Sequence, residues 1–354
     1  MQSARLIPLV AVGAIALMAA LPEVPMLRQA TTYPVTKSVP LGVDGGWDYL
    51  TVDPDAKRLY ISRGGANLVQ VVDLNTNTLI GTIDSTRGVH GIVVVPEFNR
   101  GFTSNGGDST VTIFDLKTLK QIDKVTVTGK NPDALLYDPF SKRVFTFNHT
   151  GKNTTAIDAA TGKVLGTAKT EGVLEAGASD LAGTIFVNDE DENRVFAFDA
   201  KTLAVKATWP LEGCKAPTGM AIDRAHKRLF AACNASKTVT VVDYTNGKTV
   251  ASIPICGGTD AASFDVTQQL VFASCGDGNI AVIHEDSPDK YTVQGMIKTE
   301  DRARTMTIDE KTHKLYTVTA QYNPPPAPAA GAPAGRGGRA TMVPGSFHLL
   351  ILEK

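Results

Sequence analysis

The chain has 354 residues, 43% of them hydrophobic and 20% charged, which is enough apolar content for a full globular core. Its formal net charge of −1 lacks the basic surplus that a general nucleic-acid binder needs, so that class is disfavoured. Length alone leaves one large domain or two ordinary ones open.

The first thirty residues stand apart. Arg5 precedes Leu6–Leu21, an uncharged run of small and aliphatic side chains with Ala16, Ala19 and Ala20 towards its end. A basic start, a short apolar stretch and small residues read 1–30 as a signal peptide or N-terminal segment. The run falls short of the roughly 20 residues that span a bilayer, so cleavage is expected over anchoring. Membrane attachment follows only if the segment stays uncleaved. Export makes a periplasmic or secreted protein the expectation.

From residue 31 to 354 one period governs the chain. Asp53, Val95, Asp138, Asp180, Asp223, Asp265 and Asp309 recur at steps of 42, 43, 42, 43, 42 and 44 residues. A second series, Asp73, Asp115, Asp158, Asp199, Asp243 and His284, keeps the same spacing. Each unit reads as four short strands, as in Gly91–Val95, Gly101–Ser104, Val111–Phe114 and Gln121–Val127. β-Branched and aromatic residues fill the strands, and Gly, Asn, Asp and Pro fill the turns. The connections are too short for crossover helices, so each unit is an antiparallel meander. Four strands at this period predict an all-β, seven-bladed β-propeller of four-stranded antiparallel blades.

The seventh unit supplies only three strands, around Thr307–Ile308, Lys314–Thr319 and Phe347–Leu352. The missing outer strand is available in Tyr33–Val39, so the last blade is expected to close on an N-terminal strand, removing an exposed edge. Residues 323–345 (NPPPAPAAGAPAGRGGRATMVPG) interrupt that unit, and their Pro and Gly density reads as a disordered loop. The aspartates of the second series precede turns and are expected to accept backbone amides there. Arg58, Arg100, Arg143 and Arg228 recur before the second strand, in solvated or turn-bridging roles.

Several stretches carry a family resemblance. Lys57–Ser62 (KRLYIS) with Val69–Asp73 (VQVVD) resembles the YVTN repeat. GGWDYLTVDP (45–54), GVHGI (88–92), GFTSNGGDSTVTIFDLKTL (101–119), KNPDALLYDP (130–139), PTGMAID (217–223) and ARTMTID (303–309) make the chain resemble the YncE family of exported bacterial propellers. The resemblance implies the fold and export, and it implies no single activity. It departs from the plain repeat at Val95 and in the proline-rich loop.

Cys214 and Cys256 are 42 apart, as are Cys233 and Cys275, so each pair occupies equivalent places in the fifth and sixth units. Of three connectivities, repeat symmetry favours disulfides Cys214–Cys233 and Cys256–Cys275, with free thiols or a metal site as the alternatives.

Five residues before each member of the first series stand Asp48, His90, Asp133, Glu175, Thr218, Asp260 and Arg304. In a propeller these positions enter the innermost strands, so they should ring one mouth of the central channel. Like charges gathered there repel unless a cation, a proton or Arg304 offsets them. Asp48, His90, Asp133 and Glu175 are candidate ligands for a divalent metal such as Ca²⁺, Mn²⁺ or Zn²⁺. Trp47 would add an apolar wall, and Arg304 would hold an anionic group. The plainer alternative is that these residues cap turns and carry solvated charge.

The reading is an exported binding scaffold for a small ligand, metal or protein partner at the channel mouth. One alternative is a metal-dependent hydrolase of lactonase type, with His90 or Glu175 as general base; another is nucleic-acid binding through a local patch. No catalytic residue is assigned, and whether the chain is an enzyme stays open, as do its ligand and oligomeric state.

Overall fold

Alternating side chains and tight turns fold this chain locally, one hairpin at a time. The computed structural model describes residues 32–325 and 339–354, so the apolar N-terminal run and the middle of the proline-rich segment lie outside the described residues. Seven four-stranded antiparallel sheets form the blades of a β-propeller. Blade 1 comprises Leu50–Asp53, Arg58–Arg63, Leu68–Asp73 and Thr78–Ile83. The next five begin with Val89–Val95, Pro132–Asp138, Leu174–Ser179, Pro217–Asp223 and Thr259–Asp265 as innermost strands. Blade 7 runs outward from Met306–Asp309 through Lys314–Thr319 and His348–Leu352 to Val35–Pro40. The outermost strand comes from the opposite end of the chain, with Val39 against Leu349 and Val35 against Leu352. Closure by an N-terminal strand thus holds as expected.

Apolar side chains of neighbouring blades interdigitate at each boundary. Phe145 and Phe198 meet edge to face, with centroids 5.6 Å apart, between blades 3 and 4. Burying one such ring stabilises the fold by about 2–3 kcal/mol. The turn aspartates do what their positions demand. Asp73 Oδ1 accepts the amides of Asn75 and Thr76, and Asp115 and Asp199 repeat the arrangement with the residues two and three ahead. In the first series Asp53 Oδ1 accepts the amides of Asp55 and Ala56, and where Val95 replaces that aspartate a 3-10 turn, Pro96–Phe98, makes the bend instead.

Recurring arginines tie blades together. Arg143 Nη1 donates to Ala200 O at 2.8 Å and Lys201 O at 2.6 Å in the next blade. Arg58 reaches Leu116 O and Arg228 reaches Pro288 O in the same way. The proline-rich interruption is paired at its ends, Tyr322 with Met342 and Asn323 with Thr341. Ordered backbone therefore extends into both ends of the stretch read as a loop. Both disulfides form with the symmetric connectivity, Cys214–Cys233 and Cys256–Cys275, with Cα atoms 5.4 and 5.8 Å apart. They fit an oxidising compartment outside the cytoplasm.

Candidate functional site at the channel mouth

Five of the seven innermost strands share one irregularity at their entrance. Between Val89 and Ile92, Pro132 and Leu135, Leu174 and Gly177, Pro217 and Met220, and Thr259 and Ala262, the register to the second strand slips by a residue. A bulge of this kind bends the strand and re-aims a side chain. The ring residues His90, Asp133, Glu175, Thr218 and Asp260 all lie inside these bulges. The second strands satisfy the bulged backbone. Ser104 Oγ accepts Gly91 N at 2.8 Å and donates to Asp133 O in the next blade. Ser274 serves Arg304 O, and Asn188 Nδ2 serves Thr218 O at 3.1 Å. Blade 5 has Ala232 at this place, and there Thr218 Oγ1 itself donates to Thr259 O at 3.2 Å. Thr218 thus turns its hydroxyl into the framework.

The remaining ring members divide into two groups. On one side, His90 Nδ1 is 2.7 Å from Asp48 Oδ2 and 3.8 Å from Asp133 Oδ1. His149 Nδ1 is 3.0 Å from Glu175 Oε1, without hydrogen-bond alignment. The ligand atoms of Asp48, His90 and Asp133 lie within 4.8 Å of one another, and so do those of Asp133, His149 and Glu175. Asp133, 8% exposed, belongs to both sets. On the other side, Arg304 Nη1 pairs with Asp260 Oδ2. A recess beside it is lined by Trp47, Arg302, Arg304 and Tyr322, and Arg302 stacks 3.9 Å over the Tyr322 ring. Most of Trp47 is core, packed on Phe347 with centroids 5.3 Å apart.

Crowded carboxylates shape the electrostatics. Burial, then Glu175 and Asp48, push the Asp133 carboxyl well above its usual range. Burial also carries Asp260 up to about 7, against the opposing pull of Arg304. Burial works against charge on His90, yet Asp48, Asp133 and Glu175 outweigh it and raise the imidazole. The Glu175 carboxylate carries His149 up to about 9. The mouth thus holds protons that a divalent cation would displace. Two imidazoles among three carboxylates suit a borderline or hard divalent ion, so the donor set fits a metal.

Two residues of this mouth escape the ring count. His149 follows the second strand of blade 3, where blades 1 and 2 have Gly64 and Gly106. A Cβ at Gly106 would overlap Asn131 Oδ1 and come within 2.8 Å of His90 Nε2, so a larger residue there would displace those side chains. Tyr49 follows Asp48, where five other blades carry Gly91, Ala134, Ala176, Gly219 and Ala261. From blade 1 it packs against the apolar cluster of blades 3 and 4 across the channel. Burial and the carboxylates of Asp133, Glu175, Asp48 and Asp260 hold its phenol protonated far above the normal range. Below the mouth, the inner strands frame a cavity of about 460 Å³. Reading the second offset for a residue that breaks a glycine or alanine pattern would have found Tyr49, whereas the first also carries Glu190 and Asn234 and does not single out His149.

Fold and mouth together place this chain among seven-bladed β-propeller scaffolds, built around a charged channel entrance. Neither a family model nor a curated protein matches it, so the YncE likeness stays a resemblance. Among solved structures, a chain of the "Crystal Structure of Mitotic Checkpoint Complex" superposes with a TM-score of 0.71 at 14% identity, over 94% of this chain and 99% of that one. At that identity the likeness concerns the fold alone.

Proposed function

We propose that the protein is an exported propeller, periplasmic or secreted, that binds a divalent cation at the channel mouth and a small anionic ligand beside it. The observation carrying this reading is the pair of His-carboxylate sets that share the buried Asp133. Asp48, His90, Asp133, His149 and Glu175 would hold the cation. Arg302 and Arg304 stand at the blade 7 flank of the mouth, next to Trp47, where they would receive an anionic group. The acidic half of the mouth disfavours nucleic acid as the occupant.

The test is elemental analysis and Mn²⁺ or Zn²⁺ titration of the purified mature chain beside Asp133→Asn. About one equivalent or more of metal that the variant loses supports the reading. Equal metal content in both proteins overturns it. A hydrolytic role draws on the same residues, with whichever of His90 and Glu175 the cation leaves uncoordinated as the base. Turnover in a lactone and ester panel, abolished in Asp133→Asn, would select it over a pure binding scaffold.

A further inference from the structure

The opposite face of the propeller carries a second group of ligating side chains, where blade 5 meets blade 6. Asp223 ends the innermost strand of blade 5, and His226 lies in the turn that follows. Glu285 approaches from the third strand of blade 6. His226 Nδ1 is 2.7 Å from Asp223 Oδ2 and 3.4 Å from Glu285 Oε1, and the three ligand atoms lie within 4.8 Å of one another. The Glu285 side chain has no exposed surface, and its Oε2 has no hydrogen-bond partner. His226 Nδ1, also buried, makes no aligned hydrogen bond.

The repeat shows that Glu285 is out of character. The residue after each member of the second aspartate series is Leu74, Leu116, Ala159, Ala200 and Tyr244 in blades 1 to 5, and Glu285 in blade 6. These places are structurally equivalent, because each amide reaches back to the turn before the second strand. Leu74 N donates to Lys57 O, Ala159 N to Lys142 O, and Glu285 N to Gln269 O. Leu116, Ala159 and Ala200 are buried packing residues. Setting a carboxylate in such a place, against a second buried carboxylate, is costly in desolvation unless a proton or a counter-charge offsets it. Arg228, the recurring arginine of blade 5, is directed to Pro288 O, Asp289 and Asp243 instead.

We infer that Asp223, His226 and Glu285 form a second divalent-cation site, of the zinc class, that staples blade 5 to blade 6. Two carboxylates and one imidazole are an N/O donor set for Zn²⁺, and three protein ligands leave a fourth position for water. The imidazole is the accessible edge, with 37% of the His226 side chain exposed. The site is independent of the channel mouth, at the other end of the inner strands.

The experiment is titration of the untagged, chelator-treated mature chain with Zn²⁺ by calorimetry, in an Asp133→Asn background that disables the mouth. One equivalent is expected to remain there and to be lost in Glu285→Leu, which restores the apolar residue type of the other blades. His226→Gln, altered on the exposed edge, should lose it as well and guards against a folding defect in the first variant. Bound Zn²⁺ should also shift the His226 ring resonances. An Asp133→Asn protein that takes up no Zn²⁺, or unchanged stoichiometry in folded Glu285→Leu and His226→Gln, overturns the inference. Neither result bears on whether the unmodified mouth binds metal.

Discussion

His90 Nδ1 stands 2.7 Å from Asp48 Oδ2 across the boundary of blades 1 and 2, although 42 residues separate them. Equivalent positions of successive blades meet in this pair, which is how a sequence period becomes a ring of neighbouring side chains. Removing the charge of Asp48 should release the imidazole. In chelator-treated protein, Asp48→Asn is expected to lower the His90 titration midpoint, read from its ring resonances. An unchanged midpoint would mean that Asp133 and Glu175 alone hold the proton.

His149 should make the metal-free protein pH-sensitive. Its imidazole, carried up to about 9 beside Glu175, binds a proton more tightly folded than unfolded, where about 6.5 is normal. The stabilisation is therefore complete below about 6.5, fades as pH rises, and is gone above about 9. It amounts to at most about 3 kcal/mol. Urea unfolding at pH 6 and pH 10 should show this loss in the wild type and a flatter profile in Glu175→Gln.

Arg63 anchors the join between closing strand and first blade. It is fully buried, its guanidinium lies 3.4 Å over the Phe347 ring, and it donates to Gly42 O, Val43 O, Gly45 O and Gln70 Oε1. Burial brings its pKa down to about 10. Arg63→Ala would strand four acceptors and open a cavity, lowering stability by about 3 kcal/mol or more. Arg63→Lys cannot span the same fork of acceptors and should recover only part of this in denaturant melts.

Each disulfide closes a loop of 19 residues in sequence separation, so each should contribute about 3 kcal/mol through the unfolded state. Cys214→Ser with Cys233→Ser, and the corresponding blade 6 pair, should lower the urea midpoint separately and by similar amounts. A drop confined to one pair would contradict the symmetric account.

Deleting Val35–Pro40 should uncover the edge of His348–Leu352. An unpaired, fully buried-type strand such as HLLIL is a template for association, so the truncated chain is expected to aggregate where the full chain stays monodisperse in light scattering.

The 42-residue step, the alternating strands and the turn aspartates already determine seven meanders, because a blade is made from hairpins whose contacts are local. Strand counting alone assigns Tyr33–Val39 to the last blade, and repeat symmetry alone favours pairing Cys214 with Cys233. The offset that finds Asp48, His90 and Asp133 is legible for the same reason: equal register puts equal positions on one circle. Only tertiary structure decided how the members of that circle use their side chains. Arg304 turns to Asp260, Thr218 turns into the framework, and Asp133 stands between two imidazoles. His149, Tyr49 and Glu285 come from other offsets, and what they meet depends on bulges, rotamers and the gap between neighbouring blades. Those are distances between segments far apart in the chain, and a one-dimensional period carries no measure of them.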